Sequence, residues 1–146
     1  MKKTFSILVM TLFAAYVQAS DICSGTTEEL LQCHAGEVKQ FLRQWVRAWG
    51  EGDIETYLTL YTRSRSPREG LSRPEWVQHR RARIAPEKSV EINLKLESMG
   101  LENSGIFDVI FKQQYQSATY EDEVRKRLFL LREEGELRIW KEEVLR

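Results

Sequence analysis

The stretch IFDVIFKQQYQS, residues 106–117, alternates strictly between two sets of side chains. One set consists of Phe107, Val109, Phe111, Gln113, Tyr115 and Ser117. A period of two is typical of a β-strand with one face towards a hydrophobic core. This face becomes polar from Gln113 onwards, and polar side chains on a core face need partners or a cavity. The pattern therefore predicts a central strand that runs from a packed core into the mouth of a pocket or groove.

Helical periodicity precedes this strand. The first predicted helix begins at a capping box formed by Thr26 and Glu29. Asp53 caps a short second helix, and another capping box at 72–75 begins a third helix that ends before Pro86. The segments that alternate with a period of two are residues 90–97, 106–117, 124–131 and 137–142. Three helices followed by these strands predict an α+β fold, with the helices packed on one face of an antiparallel sheet of about four strands.

Length and composition limit the classes of protein to consider. The chain has 146 residues, the size of one domain, and 42% of them are hydrophobic. The formal net charge is zero, which argues against a general nucleic-acid binder. Charge is nevertheless segregated, because residues 63–88 carry eight basic and three acidic side chains. This segment is either a basic surface for an anionic partner or a solvated helix face balanced by acidic neighbours in the fold.

The first 19 residues have the pattern of a secretory signal. Lys2 and Lys3 precede a short apolar run, residues 5–17, and residues 17–19, VQA, resemble a cleavage site. We predict a signal peptide over residues 1–19 and an exported protein that is periplasmic or secreted; a retained anchor is the alternative. The apolar run is too short to span a bilayer, and we expect no transmembrane segment after cleavage.

The sequence contains two cysteines, Cys23 and Cys33, and both follow the predicted cleavage site. An even number of cysteines in an exported chain favours a disulfide, which would tie the mature N-terminus to the first helix. His34 follows Cys33, but adjacent positions on a helix point in different directions and no ligand cluster surrounds them. We therefore expect neither a metal site nor a cofactor.

Several segments in combination resemble the nuclear transport factor 2-like, or SnoaL-like, family. They are WVRAW at 45–49 with Gly52-Asp53 and Tyr57-Leu58, Leu71-Ser72 with Trp76, Arg80, Arg83 and Ile84, the alternating face of 106–117, Lys126 with Leu128 and Leu130, and GELRI at 135–139. The resemblance is strongest to the cone-shaped domain appended to some L,D-transpeptidase-family proteins of the Gram-negative envelope. That family often has Trp where Leu137 stands, and the catalytic Cys motif of the transpeptidases is absent, so their chemistry does not transfer.

The resemblance implies a curved sheet wrapped around a helix-lined cone that is open at one end. We interpret residues 37–146 as this domain, and residues 20–36 as an N-terminal extension with the start of the first helix. The fold hosts isomerases, cyclases and dehydratases as well as non-catalytic binding modules, so it does not by itself fix a function.

Eight residues are predicted to bind a ligand at the opening of the cone: Trp49, Tyr57, Trp76, Arg80, Arg83, Gln113, Tyr115 and Lys126. The two arginines share a stripe of the third helix with Trp76, and the last three residues lie on inner strand faces. Aromatic walls with a few polar groups are typical of a pocket for a small molecule or peptide, and an arginine fork binds carboxylate or phosphate. The alternative is structural: Arg80 pairs with a carboxylate and stacks on Trp76 to hold helix and sheet together.

Members of this fold that transfer protons use a buried Asp, Glu or His that faces the pocket. The inner positions of the predicted strands instead carry amide, hydroxyl and lysine side chains, namely Gln113, Ser117, Lys126 and Lys141. We therefore predict no catalytic residues and an exported binding module for an envelope protein or an anionic small molecule or peptide. The alternative is an isomerase-like or dehydratase-like enzyme, which would be favoured if the fold placed Glu or Asp beside Tyr115.

A second interaction is predicted on the outer face of the sheet. The apolar residues at outward positions are Ile110, Phe129, Leu131 and Trp140. Uncovered apolar patches usually mark interfaces, and domains of the resembling family often dimerise through this face. We therefore expect a homodimer unless the fold covers these side chains.

Overall fold

The fold consists of three α-helices followed by four strands in the computed structural model, which describes residues 23–146. The elements are α1 (Thr27–Gly50), α2 (Ile54–Thr59), α3 (Arg73–Arg81), β1 (Glu91–Leu101), β2 (Phe107–Gln116), β3 (Glu121–Glu133) and β4 (Glu136–Leu145). The order and type of these elements confirm the predicted α+β class. The predicted signal peptide, residues 1–19, lies outside the described residues.

Helices α1 and α3 begin at the predicted capping boxes. The backbone N–H of Thr26 donates to the Glu29 carboxylate at 2.7 Å, and Ser72 donates in the same way to Glu75 at 2.8 Å. Helix α3 ends at Arg81, so Arg83 lies in the turn that follows and does not extend the stripe of Trp76 and Arg80 as predicted. Ala82 and Arg83 form this turn, and Pro86 begins a short 3-10 helix (Pro86–Lys88) that leads towards β1.

The four strands form one antiparallel sheet in the order β1-β2-β3-β4. The helices cover its inner face, where the core includes Trp45, Phe111, Leu128 and Ile139, all fully buried. The inner face of β2 follows the predicted alternation and stays buried as far as Gln113, which is 3% exposed. The central strand therefore carries a polar side chain at the inner end of the core, as its sequence indicates.

A β-bulge in β4 changes which side chains face the core. Ile139 pairs with Leu130 and Lys141 pairs with Phe129, so Trp140 is an extra residue without a partner in β3. An insertion of one residue reverses the two faces beyond it, and Glu142 consequently points inward and is 9% exposed. The prediction that Lys141 faces inward is therefore wrong, and so is the inference that the inner strand positions lack a carboxylate.

The N-terminal part of the described chain is tied down by a disulfide. Cys23 and Cys33 are bonded, with their Cα atoms 6.0 Å apart, as the cysteine count predicted. The bond connects the segment before α1 to the second turn of that helix. Within residues 23–146, no helix combines the length and the apolar character that crossing a membrane requires.

Candidate functional site

A cavity of about 870 Å³ lies between the end of α1, the end of α3 and strands β2, β3 and β4. Six of the eight predicted ligand-binding residues line it: Trp49, Arg80, Arg83, Gln113, Tyr115 and Lys126. Its other charged lining residues are Arg68, Glu69, Lys88, Asp122, Lys141, Glu142 and Glu143. Six basic and four acidic side chains in total leave an excess of positive charge around this cavity.

Three charged side chains meet at the inner wall of the cavity. The Nζ atom of Lys126 donates to Oε1 of Glu142 at 2.7 Å, and an Nη2 atom of Arg80 lies 3.6 Å from the same oxygen. All three residues are buried, with 8% exposure for Arg80, 6% for Lys126 and 9% for Glu142. Two buried cations therefore share one carboxylate, and the cluster keeps a net positive charge.

Buried hydroxyl groups complete the partners of Glu142. The hydroxyl of Tyr61 donates to Oε2 of Glu142 at 3.0 Å and accepts a hydrogen bond from Nε1 of Trp45 at 2.9 Å. The hydroxyls of Tyr57 and Tyr61 are 2.7 Å apart. Burial raises the pKa of Tyr57 to about 12, and burial together with the charge of Glu142 raises the pKa of Tyr61 well above its ordinary value. Both hydroxyls are therefore protonated at neutral pH.

The Glu142 carboxylate is ionised and firmly held. Burial alone would raise its pKa, but the charges of Lys126 and Arg80, with hydrogen bonds from Lys126 and Tyr61, outweigh burial and lower the pKa to about 2. A carboxylate with so low a pKa is a weak base at neutral pH. Chemically, this arrangement is better suited to fixing charge at the cavity wall than to accepting a proton from a ligand.

Arg80 is also surrounded by aromatic rings. Its guanidinium carbon lies 5.7 Å from the ring centroid of Trp49, 5.9 Å from that of Tyr57 and 5.7 Å from that of Trp76. These cation–π contacts, together with the Glu142 ion pair, hold α3 against the sheet. The structural role expected for Arg80 is thus present, and the same residue also lines the cavity.

Gln113 adds a buried side-chain amide to this wall, and the amide oxygen is free to accept a hydrogen bond. The residue is 3% exposed, and its Oε1 atom has no hydrogen-bond partner among residues 23–146. In the β2–β3 register Phe111 faces Lys126 and Gln113 faces Val124, so Gln113 and Lys126 are diagonal neighbours on the inner face. A buried amide oxygen without a partner is costly unless a bound group donates to it, which indicates a place for a ligand N–H or O–H.

An aromatic wall leads from this interior to the surface. The ring centroids of Trp49 and Tyr115 are 6.0 Å apart, and those of Tyr115 and Tyr120 are also 6.0 Å apart. Tyr120 is 58% exposed and Val144 is 57% exposed, and both line the cavity. The cavity therefore combines a cationic interior with an apolar, solvent-exposed mouth.

The two remaining predicted residues do not line this cavity. Tyr57 is fully buried in the core beneath Arg80, where it joins the hydroxyl network. Trp76 is 1% exposed and lines an adjoining cavity of about 330 Å³, which shares Arg80 and Arg83 with the first; its Nε1 atom has no hydrogen-bond partner in the described chain. Between Cys23 and Arg146 the structure contains no group of three or more His, Cys, Asp and Glu side chains placed to hold a metal ion.

Sequence reasoning missed Glu142 and Tyr61. The strand pattern assigned Glu142 to the outer face, because nothing in residues 137–142 marks the bulge at Trp140. A usable signal was the pair of consecutive glutamates, Glu142 and Glu143, since either register of an alternating strand brings one of them inward. Tyr61 follows Tyr57 by four residues, and this helical spacing predicts a shared buried face but not the bond from the Tyr61 hydroxyl to Glu142.

The outer sheet face is partly covered by cations. The four apolar residues predicted to form an interface are half-buried: Ile110, Phe129, Leu131 and Trp140. The guanidinium of Arg127 lies 4.5 Å from the ring centroid of Phe129, and that of Arg65 lies 4.6 Å from that of Trp140. Dimerisation through this face stays a prediction.

The helical cone with a four-stranded sheet and an inner cavity defines a nuclear transport factor 2-like domain, a fold that binds ligands. The sequence profile of the Cds6 C-terminal NTF2-like domain matches residues 37–143. The chain belongs to this family. The match confirms the resemblance to nuclear transport factor 2-like proteins, whereas the association with L,D-transpeptidase-family proteins stays a prediction.

Solved structures of similar fold share little sequence identity with this chain. Bd1075 from Bdellovibrio bacteriovorus is similar with a TM-score of 0.67 and 21% identity, over 82% of this chain and 42% of that one. A variant of the helical cell shape determining protein Pgp2 from Campylobacter jejuni gives a TM-score of 0.64 and 18% identity, over 77% of this chain and 41% of that one. This chain thus spans only about two fifths of the length of Bd1075 and of Pgp2.

A third similar structure has nearly the same extent as the matched domain. It is an NTF-2 like protein of unknown function from Shewanella oneidensis, with a TM-score of 0.64 and 14% identity, over 75% of this chain and 97% of that one. At these identities the similarities show the fold alone. Comparison with the curated proteins gave no significant match.

Proposed function

We propose that this chain is an exported, non-catalytic binding module that takes the anionic group of a ligand, a carboxylate or phosphate, into its cavity. The ligand is either a small molecule or peptide, or an anionic group that an envelope protein presents to the excess of positive charge around the cavity. The observation that carries the proposal is the pair of buried cations, Arg80 and Lys126, that share the single carboxylate of Glu142. A buried cluster with an excess cation is stabilised by an added anion.

The chemistry of the cavity also supports a ligand that is more than a free anion. Gln113 offers an unused acceptor beside the cations, and the wall formed by Trp49, Tyr115 and Tyr120 offers flat apolar surface towards the mouth. A ligand with an anionic end, an adjacent N–H or O–H donor and an apolar or ring-shaped body would use all three features.

The envelope is the compartment that fits this proposal. The predicted signal peptide over 1–19 and the Cys23–Cys33 disulfide favour export to an oxidising compartment. Pgp2, which is similar in fold, is a helical cell shape determining protein. We extend that role to this chain as part of the proposal: it would act on the cell envelope and contribute to cell shape.

An enzyme is the second candidate, and the inward position of Glu142 is the observation in its favour. Glu142 and Tyr115 line the same cavity, which is close to the condition under which the sequence favoured an enzyme. The lowered pKa of Glu142 and its three buried partners favour binding instead, because its lone pairs are engaged and its basicity is low.

Arg80→Met removes the excess cation while Lys126 still pairs with Glu142, and this variant tests the binding proposal. N-acetyl-alanyl-alanine, titrated by NMR against the chain from Ser20 onward, should shift signals of the cavity residues, whereas its C-terminal amide should bind at least tenfold more weakly. Inorganic phosphate is titrated in parallel as the second anion. Arg80→Met should weaken binding of either anion at least tenfold.

Arg81→Met is the matched control, because Arg81 lies next to Arg80 but is exposed and pairs with Glu55 outside the cavity. This control should bind both anions as the unmodified chain does, and circular dichroism verifies that each variant is folded. Equal binding by the acid and the amide, or by both variants, would overturn the proposal. Turnover by the unmodified chain that is lost in Glu142→Gln, under conditions in which circular dichroism shows this variant to be folded, would establish the enzyme instead.

A further inference from the structure

The two edge strands of the sheet, β1 and β4, differ in whether another segment covers their outer backbone edge. The outer edge of β4 is covered by the segment after α2. The backbone N–H of Thr62 donates to the carbonyl oxygen of Ile139 at 3.0 Å, and the backbone N–H of Glu142 donates to the carbonyl oxygen of Pro67 at 2.9 Å. At the opposite edge, the backbone of β1 makes hydrogen bonds only to β2 within residues 23–146. One edge of the sheet therefore retains free backbone donors and acceptors.

A groove of about 380 Å³ runs between this free edge and α1. Its floor is formed by the buried side chains of Leu42, Ile92 and Phe111. Leu96 also lines the groove and is 38% exposed, which is unusual for a large apolar residue in this chain. The groove thus offers apolar surface to a side chain from outside.

The backbone edge of β1 itself lies in the groove. Residues of opposite strand parity line it, because Ile92 and Leu94 point to the inner face and Asn93 points to the outer face. Consecutive residues of one strand point to opposite faces, so a groove that all three of them line follows the edge of the strand. An extended peptide in this position would be able to pair with β1 by backbone hydrogen bonds.

The rim of the groove is basic. Lys39, Arg43 and Arg47 follow one another at intervals of four residues along α1, and no carboxylate lines the groove. Arg47 pairs with Glu51 at 3.0 Å, whereas Lys39 and Arg43 form no ion pair with any residue from 23 to 146. The charges of Lys39 and Arg43 are complementary to carboxylates brought by a partner.

We propose that this groove docks an extended acidic segment of a partner protein, which adds to the sheet as a fifth strand beside β1. Apolar side chains at alternate positions of the segment would pack on Leu42, Ile92 and Leu96, and its carboxylates would meet Lys39 and Arg43. Backbone pairing supplies affinity and the alternate side chains supply specificity in this mode of recognition. The proposal is independent of the cavity, because the groove and the cavity share no lining residue.

A second copy of this chain fits the groove less well than an acidic partner. A two-fold interface brings the same surface of both subunits together. Lys39 and Arg43 of one copy would then approach the same cations of the other, and like charges oppose such a contact. The charge of the rim therefore selects an acidic segment over self-association at this edge.

The probe for this site is a capped nine-residue peptide of alternating valine and glutamate. Titrated by NMR against the chain from Ser20 onward, it should shift amide signals of β1 and of the basic rim, and it should slow amide hydrogen exchange along the outer edge of β1. The double variant Lys39→Glu, Arg43→Glu should bind the peptide at least tenfold more weakly. A peptide of alternating valine and lysine should not bind the unmodified chain.

Two N-methylated peptides separate strand addition from simple charge attraction. Methyl groups on the amides of odd residues or of even residues block donors on opposite edges of the peptide, so one of the two peptides should lose binding and the other should retain it. Equal binding by both would overturn the strand-addition mode.

The double variant Arg63→Glu, Lys112→Glu is the control for net charge, because both residues are exposed and lie outside the groove. It should bind the valine–glutamate peptide as the unmodified chain does. Absence of binding at millimolar peptide, unchanged binding by the Lys39 and Arg43 variant, or signal shifts confined to the cavity would each overturn the proposal. Sedimentation without peptide reports the remaining occupant: a dimer broken by Lys39→Glu, Arg43→Glu would assign the groove to a second copy.

Discussion

The carboxylate of Glu142 lies 2.7 Å from the ammonium group of Lys126, and both side chains are buried between the sheet and α3. In the β3–β4 register Lys126 faces Val144 and Glu142 faces Leu128, so the two residues are diagonal neighbours on the inner face. Arg80 reaches the same carboxylate from α3 at 3.6 Å. The bulge at Trp140 therefore determines both the charge of the cavity and the attachment of α3 to the sheet.

Glu142→Gln is expected to destabilise the fold strongly. It removes the only carboxylate bound by Lys126 and Arg80 among the described residues and leaves two buried cations without a counter-charge. Breaking a buried ion pair by removing one partner costs about 3–5 kcal/mol. Urea denaturation at neutral pH measures the loss in the free energy of unfolding.

The adjacent residue supplies the control for this substitution. Glu143 pairs with Lys141 at 2.7 Å, but its side chain is 32% exposed, so Glu143→Gln should cost at most about 1 kcal/mol. If Glu142→Gln and Glu143→Gln gave the same midpoint and slope in urea, the buried cluster would not stabilise the fold as we infer.

The stability contributed by Glu142 should disappear in acid. Its pKa is about 2 in the folded chain against an ordinary value of 4.5, so the contribution is complete above about pH 4.5 and is lost as the pH falls from there towards 2. A difference of this size corresponds to about 3 kcal/mol of stability. Urea denaturation of the unmodified chain and of Glu142→Gln between pH 2 and 7 measures it.

The difference in unfolding free energy between these two proteins should be large at pH 7 and small near pH 2, where about half of the folded chains carry a protonated Glu142. Glu29, Glu37 and Glu55 also have lowered pKa values, but they are present in both proteins and their effects cancel in the comparison. A difference that stayed constant over this range would contradict the ionised state assigned to Glu142.

Gly52 is expected to be intolerant of alanine. The residue has a φ of 73° in the turn between α1 and α2, and a Cβ atom there would overlap the backbone of Ala85. Left-handed backbone costs a non-glycine residue about 1–2 kcal/mol, and overpacking adds about 1–3 kcal/mol. Thermal and urea unfolding of Gly52→Ala should therefore show a loss of about 2–5 kcal/mol.

Gly70→Ala separates these two causes. Gly70 has a similar φ of 79°, but no atom lies within 4 Å of the position that a Cβ would occupy. This variant should lose only the backbone contribution of about 1–2 kcal/mol. Equal losses in the two variants would show that the close approach of Ala85 to Gly52 does not constrain the fold.

The features that the sequence predicted well are those fixed by residues close together in the chain. A capping box depends on two residues three positions apart, and the box of Thr26 and Glu29 forms where it was predicted. The alternation along β2 likewise extends over enough residues for the inner position of Gln113 to be assigned without knowledge of the neighbouring strands.

The features that were missed depend on contacts between distant parts of the chain. The bulge at Trp140 arises in the pairing of β4 with β3, and it alone decides that Glu142, not Lys141, faces inward. The partner of Arg80 could be anticipated as some carboxylate, but its identity follows only from this pairing. Arg83 was assigned to α3 but lies in the connection that follows the helix, although it lines the cavity as predicted.

Association through the outer sheet face should depend on Leu131. Phe129 and Trp140 are partly covered by arginine side chains, but Leu131 is half-buried and packs no such cation over it within residues 23–146. If two copies meet through this face, Leu131→Glu places a charge in a contact that is apolar at its centre and should shift the protein to monomers. Sedimentation velocity between about 1 and 100 µM measures the association, and Leu96→Glu is the matched control because Leu96 lies in the groove beside α1.

The unmodified chain and Leu96→Glu should both dimerise with rising concentration while Leu131→Glu does not. An unmodified chain that sediments as a monomer throughout this range would rule out the outer-face dimer, and dissociation by Leu96→Glu alone would move the interface to the free edge of β1.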